Sequence, residues 1–404
     1  MKVLVADQFE KEGLDGLKQA GCEVVYEPKL DGDALRDAIA RTNCVVLIVR
    51  GTKVTEPMLS AGAALSVVVR AGAGYNTIDV EAASRRSVLI ANCPGKNAVA
   101  VAELTFGLIL ALDRRIPDSV ADLRAGKWNK KLYQQANGLK DRTLGIIGLG
   151  QIGEAVAHRA KAFEMHVVAW SRSLTDEKAE QLGIVRCESP EDVAARSDVL
   201  TVHLAAAAQT KGLINASVLN QLKQGAYLVN TARADVVDHK ALAVAIVERG
   251  LRVGLDVFPD EPAGGEAEYR AAILQAGGVV YGTHHIGAST EQAQLAIAAE
   301  TVRIVREYLR TGHVANCVNI NEKSRARYVV VVRHRNRPGV LAHTLNEISQ
   351  AGVNVEEMEN VICAGAESAC AQIKLSSPLS QAAIDRIRKG NEHVLGVTFA
   401  EVPG

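Results

Sequence analysis

A five-residue apolar stretch, 143–147, runs directly into Gly148-Leu149-Gly150-Gln151-Ile152-Gly153, and a helical pattern occupies 151–163. No other feature constrains the fold as strongly. Strand, glycine turn and helix in direct succession open a parallel βαβ unit, and the extended stretch 166–170 supplies its second strand. In that setting the first glycine makes the tight turn, the second lets backbone approach a pyrophosphate, and the third lets the helix lie close on the strand. Free N–H groups at the helix start then face the phosphates. We read Gly148, Gly150 and Gly153, with Gln151 and Ile152 between them, as a dinucleotide site. A bare glycine pattern would be weak evidence; its position between strand and helix gives it weight.

The end of the second strand bears on which dinucleotide is held. An acidic residue there binds the ribose hydroxyls of NAD. This chain has Ser171-Arg172 instead. Two readings stand: Arg172 attracts the 2′-phosphate of NADP, or Ser171 binds the ribose of NAD while Arg172 covers the adenine.

Strand and helix signals alternate through the first hundred residues, with extended runs at 3–6, 23–26, 44–49 and 65–69. They alternate again from 143 to 282, with runs at 166–170, 199–202, 227–230, 253–257 and 278–281. Long helical patterns at 99–114 and 290–311 lie at the two junctions. The reading is α/β, with two Rossmann-like, doubly wound parallel sheets. A split, flavodoxin-like substrate domain takes 1–98 and 286–318, and a dinucleotide domain is inserted at 99–285. The polar segment 319–327 reads as a linker. Residues 326–404 follow a βαββαβ pattern, with strands at 328–333, 354–361, 368–375 and 393–401.

Charged residues make up 23% of the 404 and the formal net charge is zero, which argues against nucleic acid or a membrane surface as partner. The longest apolar run, 104–112, is too short to span a bilayer. The first seven residues read as strand, not as a leader. Seven scattered cysteines show no metal-binding spacing, so reduced thiols in a cytoplasmic protein, with no metal, are the expectation.

Three further segments each follow a strand, where open α/β sheets bind their ligands. They are Val229-Asn-Thr-Ala-Arg-Ala-Asp235, Gly254-Leu-Asp-Val-Phe-Pro-Asp-Glu-Pro262 and Thr283-His-His-Ile-Gly-Ala-Ser-Thr290. They present Arg233, Glu261 and His285. Each alone would pass for a solvated or structural residue; together, behind a dinucleotide turn, they suit oxidation of a secondary alcohol. That chemistry needs a proton acceptor, a carboxylate to orient it and a planar cation for the substrate carboxylate.

Across residues 1–318 the chain closely resembles the D-isomer-specific 2-hydroxyacid dehydrogenase family. The resemblance implies that Arg233 holds the substrate carboxylate, that His285 is the acid/base and that Glu261 supports it. It further implies that Asp256 meets the nicotinamide carboxamide, and that Leu204, Thr231, Ala232 and Gly287 line the cofactor pocket. The family usually has proline before the histidine, whereas this chain has His284. The likeness is greatest to members that oxidise 3-phospho-D-glycerate to 3-phosphohydroxypyruvate at the start of serine synthesis. Arg50, Lys53, Arg70, Gly72 and Lys130 match their substrate-binding region, although the Arg50–Lys53 segment is one residue shorter. The tail resembles an ACT domain, with His334, Asn336 and Asn354 at positions that imply L-serine regulation. The plainer reading is that His334 and Asn336 cap the helix that follows and that the module only dimerises. A homodimer or homotetramer is expected. The rival readings are an NADPH-dependent glyoxylate or hydroxypyruvate reductase, and a nucleotide-sensing protein with vestigial catalysis.

Overall fold

The computed structural model describes residues 1–262, 266–321 and 326–402. It forms two compact units, 1–319 and 320–404. Residues 322–325, within the segment read as a linker, lie outside the described residues.

The first unit contains two parallel sheets. The first has β1 (Lys2–Val5), β2 (Glu23–Tyr26), β3 (Val46–Val49), β4 (Val67–Arg70) and β5 (Leu89–Asn92), in the order β2-β1-β3-β4-β5. Four consecutive residues of β3 are buried, as parallel strands covered on both faces require. Alternate side chains feed opposite cores. Leu4, Leu47 and Val68 meet Leu35, Ile39 and Leu59 of one helical layer. Val3, Ile48 and Val69 meet Leu17 and, from far along the chain, Ile297, Val302 and Val305 of the helix Glu291–Thr311. That helix closes the first core by returning to it, and Thr290 caps its start by accepting the Ala293 N–H at 3.2 Å.

The second sheet has β6 (Thr143–Ile147), β7 (His166–Trp170), β8 (Val185–Arg186), β9 (Val199–Val202), β10 (Tyr227–Asn230), β11 (Arg252–Leu255) and β12 (Val279–Gly282). Its order is β12-β11-β10-β9-β6-β7-β8. The order reverses direction between β6 and β9, which places a ligand crevice at the end of β6. The helix Ala98–Arg114 packs against this sheet through Leu108 and Leu112. Gly254 permits that approach, since a Cβ there would lie 3.1 Å from the Leu108 Cβ.

The expected runs correspond to strands, with different ends. Strand β11 stops at Leu255, two residues before the expected end, because the next side chain, Asp256, is committed to hydrogen bonds with the 283–287 loop. Two strands were not anticipated, β5 and the two-residue β8. Both are short; β5 ends in a polar Asn92 and is completed by chain from 316–319, where Val318 N–H reaches Ile90 O at 2.8 Å.

Glu300 fastens the returning helix to the segment linking the two sheets. Its carboxylate, 8% exposed, meets Arg303 at 2.7 Å, Asn316 Nδ2 at 2.8 Å and Lys96 at 3.4 Å. The Arg303 hydrogen bond leads in lowering its pKa to about 2; burial opposes the shift, and Asn316 and Lys96 reinforce it. A depressed carboxylate stabilises the fold above its unfolded pKa and loses that contribution as pH falls through its folded value. Glu300→Gln should therefore lower Tm near neutrality and flatten its decline between pH 4.5 and about 2; differential scanning calorimetry across that range is the check.

The second unit is a four-stranded antiparallel sheet of β13 (Tyr328–Arg335), β14 (Val355–Ile362), β15 (Ser368–Leu375) and β16 (Val394–Glu401), in the order β14-β15-β13-β16. Helices Val340–Gln350 and Gln381–Lys389 contribute Ile348, Ile384 and Ile387 to a core with Val330, Val332 and Ile373. This is the ACT-like βαββαβ arrangement. Among the described residues no helix is long and apolar enough to cross a membrane.

Candidate active site

The glycine turn closes β6 as its spacing requires. Gly148 has φ +96°, and a Cβ there would collide with the carbonyl of His203. A Cβ on Gly153 would collide with Gly148 O, whereas one on Gly150 would meet nothing within 4 Å. Two of the glycines are thus required by the protein's own packing, and the middle one faces open space. Leu204 lies against the turn, 3.0 Å from the Cβ that Gly148 lacks. Gln151 starts the helix Gln151–Ala162, and its side chain lies on Gly95 of the segment linking the two sheets. Ser171 and Arg172 follow β7; Ser171 is half-buried and Arg172 is exposed, with no ion pair among the described residues. Gly150→Ala should leave Tm nearly unchanged while weakening dinucleotide binding. Gly153→Ala should lower stability by about 1–3 kcal/mol, because overpacking forces backbone to shift. Calorimetric titration and thermal melts separate the two outcomes.

His285 is held from both sides. Its Nδ1 lies 2.6 Å from Glu261 Oε2, and Glu261 Oε1 accepts the Phe258 N–H at 2.7 Å. Nδ1 therefore carries its proton toward the carboxylate, and Nε2 is left with a lone pair for the cavity. For Glu261, burial favours the neutral acid, but the bonds from His285 and Phe258, with the charge of Arg233, outweigh it and lower the pKa. His285 has φ +54°, an uncommon conformation for a residue with a side chain. Buried Asp256 keeps the loop in place. Its Oδ1 accepts the Thr283 hydroxyl at 2.7 Å and the Ile286 N–H at 2.8 Å, and its Oδ2 accepts the Gly287 N–H at 2.8 Å. This polar clamp brackets His284 and His285. Asp256, read earlier as a nicotinamide contact, uses three of its lone pairs on the loop.

Arg233 stands on the turn after β10. Buried Asn230 braces that turn, donating from Nδ2 to Arg233 O at 2.8 Å and accepting the Ala232 N–H at 2.9 Å. Thr231 is buried against Thr105, with their hydroxyls 3.0 Å apart. The Arg233 guanidinium packs on Gly74, where a Cβ would collide with it. Arg70 is close by: burial, then the charges of Arg233 and Arg50, push its pKa down to about 10. Its Nε is buried without a partner. Three guanidiniums held near one another, with the carboxylates of Asp7 and Glu261 acting on Arg70 and Arg233 in turn, suit an anionic ligand.

Arg50, Arg70, Gly72, Glu261, His284 and His285 are among the residues lining one cavity of about 560 Å³, and Arg233 lies outside that lining, against Gly74. Lys53 and Lys130, expected with them, are exposed and outside that lining. Gly72 does line the cavity, but its N–H is bound by Arg70 O at 2.8 Å. Asn97, which lines the cavity with its Oδ1 buried and unpartnered, was not singled out in the sequence. An asparagine before an apolar helix reads as a cap, yet its side chain makes no capping bond. Asn230 and Thr283 also escaped notice; polar residues closing apolar strands were the available signal.

In the second unit, His334 is 2% exposed, with Nδ1 at 2.8 Å from Arg335 O and Nε2 at 3.1 Å from Asn360 Oδ1. Asn336 donates to Ala366 O at 3.1 Å, and Asn354 to Glu356 Oε1 at 2.9 Å. Asn354 adjoins the start of β14, level with Tyr328, at the opposite end of the sheet from His334 and Asn336. One copy of the chain does not bring the three together. All seven cysteines are free, and no cluster among the described residues could hold a metal ion.

Residues 106–287 match the D-isomer specific 2-hydroxyacid dehydrogenase, NAD binding domain, family. The chain is 36% identical over 322 residues to D-3-phosphoglycerate dehydrogenase of Methanocaldococcus jannaschii, covering 79% of this chain and 60% of that protein. It is 35% identical over 360 residues to the Mycobacterium bovis D-3-phosphoglycerate dehydrogenase, covering 88% of this chain and 66% of the other. The chain thus spans about three fifths of the length of the curated relatives it matches. Among solved structures, the NAD+-bound 3-phosphoglycerate dehydrogenase of Entamoeba histolytica superposes with a TM-score of 0.66 at 27% identity, covering 79% of this chain and 99% of that one. With the glycine turn, the paired His285 and Glu261 and the arginine cluster in place, this chain belongs to the D-isomer-specific 2-hydroxyacid dehydrogenase family.

Proposed function

We propose that the chain is an NAD(P)-dependent dehydrogenase that oxidises 3-phospho-D-glycerate at C2. The observation that carries this reading is the single cavity in which an imidazole backed by a carboxylate faces a group of guanidiniums. Arg233 takes the C1 carboxylate as a planar fork. His285 Nε2 accepts the C2 hydroxyl proton, and Glu261 steadies the imidazolium that results. Arg50 and Arg70 bind the phosphate at the other end. A nicotinamide held at the glycine turn supplies the hydride acceptor. Asp256 and Asn230 fix the loops from which His285 and Arg233 act. The relatives' names point to the same substrate. The family's usual arrangement supports the division into a substrate domain of 1–98 and 286–318 and a dinucleotide domain of 99–285.

The second reading is a reductase of glyoxylate or hydroxypyruvate that uses NADPH, favoured by the exposed Arg172 and the lack of a carboxylate at the end of β7. Steady-state assays with each acid, with NAD and with NADP, separate the two. If NADP is used, Arg172→Ala should raise its KM about tenfold or more, the worth of one charge-assisted hydrogen bond, and leave that for NAD within about threefold. The same assays with L-serine added test regulation through the second unit. A homodimer or homotetramer is our reading of the oligomer. Ile116, Val120, Leu123 and Trp128 present apolar surface just beyond the helix Ala98–Arg114, Trp128 at 82% exposure; sedentation velocity or light scattering gives the mass.

A further inference from the structure

Asp7 stands just beyond β1, beside the end of β3. In the order β2-β1-β3-β4-β5 the chain reverses between these two strands, and open α/β sheets place ligands at such a reversal. Here the protein's own carboxylate occupies the position. Asp7 Oδ2 accepts three successive backbone N–H groups, from Arg50 at 2.5 Å, Gly51 at 3.0 Å and Thr52 at 3.1 Å. Its Oδ1 accepts the Thr52 hydroxyl at 2.8 Å. Consecutive amides converging on one point form a backbone nest for an anion, and this nest is filled. The amides of residues 50–52 are spent, and so is that of Gly72. A distal anion in the cavity therefore meets the Arg50 and Arg70 side chains in place of the amides of residues 50–52 and 72.

We propose that Asp7 is a positioning residue for anion selectivity. It stands in for a bound anion in the nest, fixes the loop from which Arg50 reaches the cavity, and makes phosphate recognition depend on guanidiniums. Asp7 is also the carboxylate among the groups that act on Arg70, so it supplies countercharge behind the cluster. The proposal rests on the reading above that the substrate carries a distal phosphate.

The test compares wild type, Asp7→Ala and Asp7→Asn in reduction of 3-phosphohydroxypyruvate and of hydroxypyruvate, which lacks the phosphate. Asp7→Ala should lower the ratio of the two kcat/KM values by about tenfold or more, mostly through KM for the phosphorylated acid. The hydroxypyruvate value should change by less than about threefold. Asn keeps one acceptor oxygen and should fall between the two. A parallel loss for both acids would mark Asp7 as a general structural residue and overturn the proposal. An unchanged ratio, or tighter phosphate binding after Asp7→Ala, would overturn it as well. Should the Ala variant fail to fold, the Asn variant carries the comparison. If wild type reduces neither acid, the functional reading fails separately, and calorimetric titration of inorganic phosphate into wild type and Asp7→Asn then decides the role of Asp7: weaker binding by the variant upholds it, and equal or tighter binding ends it.

Discussion

His285→Ala lowers kcat by about 10²–10⁴-fold, the range that a positioned acid or base contributes, while dinucleotide affinity stays close to wild type. The expectation rests on the 2.6 Å contact with Glu261, which orients the ring and leaves Nε2 free to take a proton. Glu261→Gln should cost less, since a neutral amide still orients the ring but no longer stabilises its cation. His284 is the internal control. It lines the same cavity with no carboxylate partner among the described residues, and its replacement by Ala should cost much less in kcat. Steady-state kinetics with a C2-deuterated substrate complete the measurement. If His285→Ala retained more than about a tenth of wild-type kcat, the imidazole would have no place in proton transfer.

The second large effect belongs to Arg233. Two charge-assisted hydrogen bonds to a carboxylate, each worth about 1.5–3 kcal/mol, translate into a loss of roughly 10²–10⁴ in kcat/KM for Arg233→Met. Arg233→Lys should recover little, since an ammonium restores charge without the planar fork. Stability should move the other way. The Arg70 guanidinium is already held down to about 10 by burial, Arg233 and Arg50, and removing one cation relieves that crowding. In the absence of ligand the Met variant should therefore melt at or above the wild-type temperature, as expected where a binding site is assembled at the expense of stability. A lower Tm together with lost activity would show instead that Arg233 serves mainly to brace its turn.

Much of this arrangement was legible in the residues. Gly148, Gly150 and Gly153 carry their roles in their spacing, and His285, Glu261 and Arg233 each follow an apolar run whose end the sheet brings to one side. Long-range closure was not legible in the same way. Nothing local to Glu300 announces that it meets Lys96, and nothing near Asp7 announces three amides more than forty residues away. The match to related enzymes reads Lys53 and Lys130 as substrate contacts; in the single chain both are exposed and outside the cavity lining. The isolated pattern of His334, Asn336 and Asn354 likewise carries no information about the length of the sheet between them.

The clamp by Asp256 has a mechanical consequence. Because residues 283–287 are fastened to the second sheet, any hinge movement between the two sheets is taken up beyond Gly287, and the imidazole travels with the nucleotide side. Arg50 and Arg70 travel with the other. On the function proposed above, a substrate held by His285 at one end and by Arg50 and Arg70 at the other spans the two sheets, so its own length acts as a ruler for which acids fit.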